Sequence, residues 1–231
     1  MSVLGELQPN KVFQYFEEIC AIPHGSRNLQ QISDYLVDFA KAHGLKYRQD
    51  EDLNVIIWKD GSKGYEDSDP VILQGHMDMV AVKESDCDKD MEKEGLDLEI
   101  DGDYILAKGT SLGGDDGIAV AYTLAVLDDE EMAHPPIEAI FTVNEEIGML
   151  GAATIDVSDL KGRLFMNMDS EDEGVFTVSC AGGASVICKI PYETETVNAS
   201  VIEIKMDGFT GGHSGVEIIK GRMNANCAMA R

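Results

Sequence analysis

The apolar run Val71-Ile72-Leu73-Gln74-Gly75 ends in His76-Met77-Asp78. Side chains two apart on a strand point to the same face, so His76 and Asp78 would project together from its carboxyl end. Open α/β sheets place their sites at that end. An imidazole can bind a metal through one nitrogen while a neighbouring carboxylate orients it. Three acidic segments occupy comparable places. Gly113-Gly114-Asp115-Asp116-Gly117 opens an apolar helix, where acids are also favourable on dipole grounds alone. Asn144-Glu145-Glu146-Ile147-Gly148 follows the apolar run Ile140-Phe141-Thr142-Val143. There one glutamate can coordinate a metal while its neighbour accepts a proton from water. Met166-Asn167-Met168-Asp169 again ends an apolar run in an acid. Each segment alone is ordinary, and their recurrence at strand ends points to a divalent-cation centre. Mixed carboxylate and imidazole ligands suit zinc, cobalt or manganese better than magnesium or calcium.

Positioning such groups requires a particular scaffold. Pro9 suits a first helical turn, with Val12, Phe13, Phe16, Ile19 and Cys20 on one stripe. A second helix is predicted from Asn28, with Gln31 as its capping-box partner, Leu29, Ile32, Leu36 and Phe39 as its apolar face, and Gly44 as its stop. Leu53 to Trp58, Val71 to Leu73, Ile137 to Val143, Arg163 to Met168 and Val175 to Cys180 read as sheet strands. Leu98 to Ile100 and Tyr104 to Ala107 read as a hairpin, and Asp116 to Leu127 as a buried helix. The alternation predicts an α/β fold with a central, mostly parallel sheet covered by helices on both faces. Near Ala181-Gly182-Gly183 the pattern changes, and a domain boundary is placed at residue 183. The remainder, 184–231, carries strand-like runs at Val186 to Ile190 and Val201 to Met206, then a glycine-rich turn. The chain ends inside what reads as a helix starting near Asn224, which suggests a truncated chain.

Composition narrows the partners. Forty-three acids against 18 bases give a net charge of -25, spread along the chain. Such a surface repels phosphate backbones and anionic lipid, which argues against nucleic acid and membrane as partners. The longest apolar run, Ile118 to Leu127, is too short to cross a bilayer. Cys20, Cys87, Cys180, Cys188 and Cys227 are odd in number and form no CxxC pair, which suits a reducing compartment. No basic segment followed by an apolar one marks a signal peptide, so the expected location is cytoplasmic.

The segments His76-Met77-Asp78, Gly109 to Gly117, Asn144 to Gly148, Met168-Asp169 and Gly211-Gly212-His213-Ser214-Gly215 together resemble the M20 metallopeptidases, most closely the aminoacyl-histidine dipeptidase branch. The resemblance implies a zinc-peptidase-like catalytic domain over 1–183, followed by the beginning of an α+β lid or dimerisation-type domain over 184–231. It implies two divalent ions, zinc above all, with cobalt or manganese as alternatives. His76 and Asp169 would hold one ion, Asp115 would bridge, and Glu146 would hold the other. Asp78 would steer His76. Glu145 would take a proton from the attacking water and pass it to the leaving amine. His213 would donate a hydrogen bond to the developing oxyanion. A cis peptide between Asp115 and Asp116 is also implied. The substrate would be a small Xaa-His dipeptide; aminoacylase or tripeptidase chemistry is the alternative within the family, and a homodimer of the full-length protein stays open. The family completes its second metal with a histidine near the end of a chain roughly twice as long. The expectation is therefore that these 231 residues hold one metal better than two and hydrolyse dipeptides slowly or not at all, the limiting case being an inactive metal-binding fragment.

Overall fold

The computed structural model describes residues 2–170, 174–180, 182, 186–212 and 217–231. It divides into two compact units, Met1–Val178 and Ser179–Arg231.

In the first unit, helices α1 (Asn10–Cys20) and α2 (Gln30–Ala42) precede strands β1 (Lys46–Gln49), β2 (Val55–Lys59) and β3 (Val71–His76). The hairpin β4 (Leu98–Asp101) and β5 (Tyr104–Ala107) leads into helix α3 (Gly114–Asp128), strand β6 (Ile137–Thr142), the short helix α4 (Leu150–Thr154) and strand β7 (Leu164–Asn167). The five-stranded sheet has the order β1-β2-β6-β3-β7. Strand β3 lies parallel to both β6 and β7, whereas β2 runs antiparallel to β6 and β1 antiparallel to β2. Only β2 therefore opposes the common direction, and the sheet is mixed but mostly parallel.

Register sorts the side chains into two faces. Val55, Ile57, Ile137, Ala139, Phe141 and Leu73 share one face. They join the buried sides of α1, α2 and α3 in one core, with Phe16, Ile19, Ile32, Leu36, Val120 and Leu124 all nearly inaccessible. Burial of these apolar surfaces is the main force holding the three helices on the sheet. Ile56, Ile72 and Ile140 point the other way and are also buried. On β7 both faces are open: Leu164, Phe165 and Met166 remain exposed.

Gly75 explains the closest approach between α3 and the sheet. A Cβ built there would lie 2.9 Å from Asp116 Oδ2 and 3.0 Å from Ala119 Cβ, so only glycine lets the helix start this near β3.

Several expectations are corrected. The capping box of α2 does not form: the helix begins at Gln30 without a side-chain cap, and the Asn28 amide donates instead to Glu92 O at 2.8 Å. Strand β1 had no clear apolar alternation to announce it. Val175 to Cys180 is not a strand among the described residues, nor are Val186 to Ile190 or Val201 to Met206. Their apolar side chains stay largely exposed, so no neighbour supplies the burial that a ladder needs. The second unit's described regular structure is a 3-10 turn at Ile218–Lys220 and helix α5 (Ala225–Ala230), capped by Asn224 Oδ1 accepting from Cys227 N at 3.0 Å.

Candidate metal centre

Four segments deliver the site, three of them at or just after the carboxyl ends of β3, β6 and β7 and one at the start of α3. Strand β3 ends in His76, 1% exposed. Its Nδ1 lies 2.8 Å from the main-chain oxygen of Asp78, and its Nε2 lies 2.9 Å from Asp115 Oδ1. A ring nitrogen bonded to a carbonyl carries the proton, which leaves Nε2 as the metal-facing atom. The Asp78 carboxylate stands 3.6 Å from Nδ1. The steering role assigned to Asp78 therefore passes first through its carbonyl, with the carboxylate acting by charge.

The turn before α3 places the next two acids. Asp115 and Asp116 lack helical angles, the peptide between them is cis, and the regular helix follows them. Asp115 is exposed at Nε2, whereas Asp116 is buried against Gly75 and accepts from His76 N at 3.2 Å through Oδ2.

Beyond β6 the chain folds into a tight turn carrying Glu145 and Glu146. Met149 N donates to Glu145 O at 2.9 Å, Leu150 N to Asn144 O at 3.1 Å, and Gly151 N to Val143 O at 2.9 Å. Buried Asn54 braces the base of this turn, accepting from Val143 N at 3.1 Å and donating to Gly151 O at 3.4 Å. Any side chain at Gly151 would collide with Asn54 and with the Val143 carbonyl. Glu145 Oε2 then stands 3.9 Å from His76 Nε2.

Asp169 comes from β7. A row of side chains ties that strand to the rest: Gln74 Nε2 donates to Thr142 Oγ1 at 3.2 Å, Asn167 Nδ2 to Gln74 Oε1 at 2.6 Å, and Asp169 N to Asn167 Oδ1 at 3.3 Å. Asp169 Oδ2 lies 4.0 Å from His76 Nε2.

Two sets of donor atoms have mutual separations within 4.8 Å: His76, Asp115 and Glu146, and His76, Asp116 and Asp169. The four positions named from sequence as ligands thus meet in one place. Asp116, the extra member, carried only a faint signal, as a second acid before a helix lying over a glycine. His213 lies outside the described residues.

The electrostatics suit a cation. Burial raises the Asp116 pKa to about 7, with Asp169 and Asp115 adding and His76 opposing. Burial likewise lifts Glu145 and Glu146, and neighbouring carboxylates add to it against the pull of His76. Burial opposes charge on His76, but Asp78, Asp116 and Asp115 outweigh it and push its pKa up to about 10. The leading influences on Asp116, Glu145 and Glu146 are therefore burial, one imidazole and one another. In the metal-free chain the imidazolium is the local counter-charge, and a divalent ion would displace its proton.

Relatives share this arrangement of chain. The sequence is 39% identical over 233 aligned residues to the cytosol non-specific dipeptidase of Escherichia coli, an alignment taking in all of this chain and 48% of that one. The aminoacylhistidine dipeptidase of Vibrio alginolyticus superposes with a TM-score of 0.72 at 42% identity, over 74% of this chain and 35% of that one. These similarities are consistent with the amino-terminal portion of an M20 peptidase. A tripeptidase of Staphylococcus aureus shares the fold at 24% identity, with a TM-score of 0.60 over 73% of this chain and 45% of its own. No family model matches. The chain spans about half the length of the curated M20 relative that it matches over its whole extent.

Proposed function

We propose that the protein is a metal-dependent dipeptidase that cleaves small Xaa-His dipeptides, with His76, Asp115, Glu146 and Asp169 as metal ligands and Glu145 as general base. The observation that carries this reading is the convergence of His76 Nε2 with the carboxylates of Asp115, Glu146, Asp116 and Asp169. Divalent ions held there would supply Lewis acidity, making water a better nucleophile at neutral pH and polarising the peptide carbonyl. Glu145, 3.9 Å from His76 Nε2, would accept the proton of the attacking water and hand it to the leaving amine. Its raised pKa makes it a stronger base than an ordinary surface glutamate. His213, as oxyanion donor, rests on the family resemblance. Support for Xaa-His substrates is the name of the Vibrio relative, and the "non-specific" name of the Escherichia coli relative marks the competing reading. That relative's cytosolic name and the absence of a membrane-length apolar helix among the described residues support a cytoplasmic location.

Both donor sets draw on the same imidazole, whose Nδ1 is already engaged. One ion can take Nε2, and a second is left with carboxylates alone. A structural preference for one tight ion follows, zinc in the first instance with cobalt or manganese as alternatives.

Titration of the purified chain with zinc, cobalt and manganese against a chromophoric chelator tests the centre. We expect one tight site that weakens on the order of a hundredfold or more in His76→Ala. Failure of the wild type to compete with the chelator sinks the metallopeptidase reading. A panel of dipeptides given to the full-length protein tests the substrate: loss of hydrolysis in Glu145→Gln supports the base, while equal rates on Xaa-His and other dipeptides refute the histidine preference.

A further inference from the structure

The loop before α2 reaches the metal centre from a part of the sequence with no metal-ligand pattern. Met79 N donates to His24 O at 3.2 Å and Ser26 N donates to Met79 O at 3.2 Å, with Gly25 and Met79 forming a parallel bridge. From this base the loop makes two contacts with the catalytic turns. Ser26 Oγ donates to Asp78 Oδ2 at 2.7 Å, and Arg27 N donates to Asn144 Oδ1 at 2.8 Å. The other oxygen of Asp78 accepts from Glu145 N at 2.9 Å.

These distances divide the work of Asp78 between its two oxygen-bearing groups. Its carbonyl holds the imidazole at 2.8 Å, whereas its carboxylate is 3.6 Å from the same nitrogen. The short bonds of the carboxylate go to Ser26 on one side and to the Glu145 main chain on the other. We propose that Ser26 is a positioning residue: by fixing one oxygen of Asp78, it makes the other a rigid anchor for the Glu145 backbone and thus aims both Glu145 and Glu146.

Asp78 is 1% exposed, so water cannot readily replace a lost partner. Without the Ser26 hydroxyl, a buried carboxylate oxygen would lack its charge-assisted bond. The group would then be free to rotate away from Glu145. Because the two glutamates are adjacent, this backbone bond bears on the placement of both, beside the bonds that Asn54 and Arg27 make to the same turn. A misplacement near 1 Å is enough to cost about 10²-fold in rate. The contact of Arg27 with Asn144 holds the preceding residue of the same turn and does not depend on Ser26.

This inference rests on Glu145 serving as the base, but its anchoring is measurable without metal or substrate. Backbone amide exchange at Glu145, followed by NMR, reads the Asp78 bond directly. In Ser26→Ala the Glu145 amide should exchange about tenfold faster or more, and Asp78→Ala should accelerate it at least as much. Ser26→Thr keeps the hydroxyl and should return exchange to within about threefold of wild type. The Met77 amide, bonded to Thr142 O at 2.9 Å, should be unaffected in Ser26→Ala. Cobalt affinity in Ser26→Ala should fall, but less than in His76→Ala, because Glu146 sits on the loosened turn while His76 keeps its carbonyl partner. Unchanged Glu145 exchange in Ser26→Ala, equal acceleration at Met77, or no recovery in Ser26→Thr overturns the proposal. Absence of cobalt binding by the wild type would instead defeat the metallopeptidase reading, leaving the anchoring result to stand or fall by itself.

Discussion

Replacing Gly75 by alanine probes the contact that seats α3 over the end of β3. The added Cβ would sit 2.9 Å from Asp116 Oδ2, 3.0 Å from Ala119 Cβ and 3.5 Å from Val120 N. Carbon atoms prefer separations of about 3.5–4.0 Å, so the helix start must withdraw by roughly 0.5 Å or Asp116 must turn aside. Withdrawal is resisted because α3 is also packed against α1, where Gly117 faces the Phe16 ring. Overpacking of this kind costs about 1–3 kcal/mol. Gly75 has no positive φ, so alanine is conformationally acceptable there and recovers about 0.4–1 kcal/mol by restricting the unfolded chain. The expected net loss is about 1–2 kcal/mol. Displacing Asp116 from His76 N should also weaken cobalt binding about tenfold, since the strand end then loses its tie to the helix. Urea unfolding followed by circular dichroism gives the first quantity, and chelator competition the second. Wild-type stability together with wild-type cobalt affinity would refute the claim that this close approach shapes the site.

Two further expectations concern the scaffold. Glu138, 4% exposed, accepts from Lys161 N and Gly162 N at 2.8–3.0 Å, so Glu138→Ala should lower stability by roughly 2–3 kcal/mol in urea unfolding and loosen the lead into β7; a loss below about 0.5 kcal/mol would contradict it. The second is acid sensitivity at Asp128. Burial raises its pKa, but the Lys11 and Tyr15 bonds outweigh this and hold it below the usual carboxylate value. A depressed folded pKa gives stability that is present above the unfolded value of about 3.9 and is lost as pH falls through the folded one. Asp128→Asn should therefore destabilise the chain at pH 7 and flatten its stability profile below about pH 4, relative to wild type. Parallel profiles for the two proteins in acid-unfolding curves would show that the pair contributes nothing.

Sequence and structure agree where local chemistry leaves few choices. The runs Val71 to Leu73 and Ile137 to Val143 are bounded and apolar, and both became central strands with His76 and the glutamate turn at their carboxyl ends. Asp169 was legible for the same reason, just past β7, and Asp115 as an acid opening the apolar helix α3. What escaped notice depends on contacts across long stretches of chain. Ser26 looks like any loop serine until it meets Asp78, 52 residues away. Asn54 is an unremarkable polar residue until it is buried beneath the Glu145 turn. Asp116 became visible only once Gly75 gave it room. The strand expected at Val175 to Cys180 failed in the opposite sense: its composition favours a strand, but no partner among the described residues completes one.

The escaped residues have a common task. Carboxylates brought this close repel one another, and burial raises the cost of charging them. Left to themselves, the four segments would spread until an ion drew them together. Instead each is tied by a bond that needs no ion: Asp116 to the His76 backbone, Asp78 to the Glu145 backbone, Asn54 to both ends of the glutamate turn, and Gln74 to Asn167 ahead of Asp169. In every case a side chain from one segment holds the main chain or a side chain of another, so the backbones that carry the ligands stay together without an ion. The ligands are therefore preorganised, and metal binding has only to exchange a proton for a cation rather than assemble the site. Affinity should accordingly respond to Gly75 and Asp78, which touch no ion in this reading, nearly as clearly as to the carboxylates themselves.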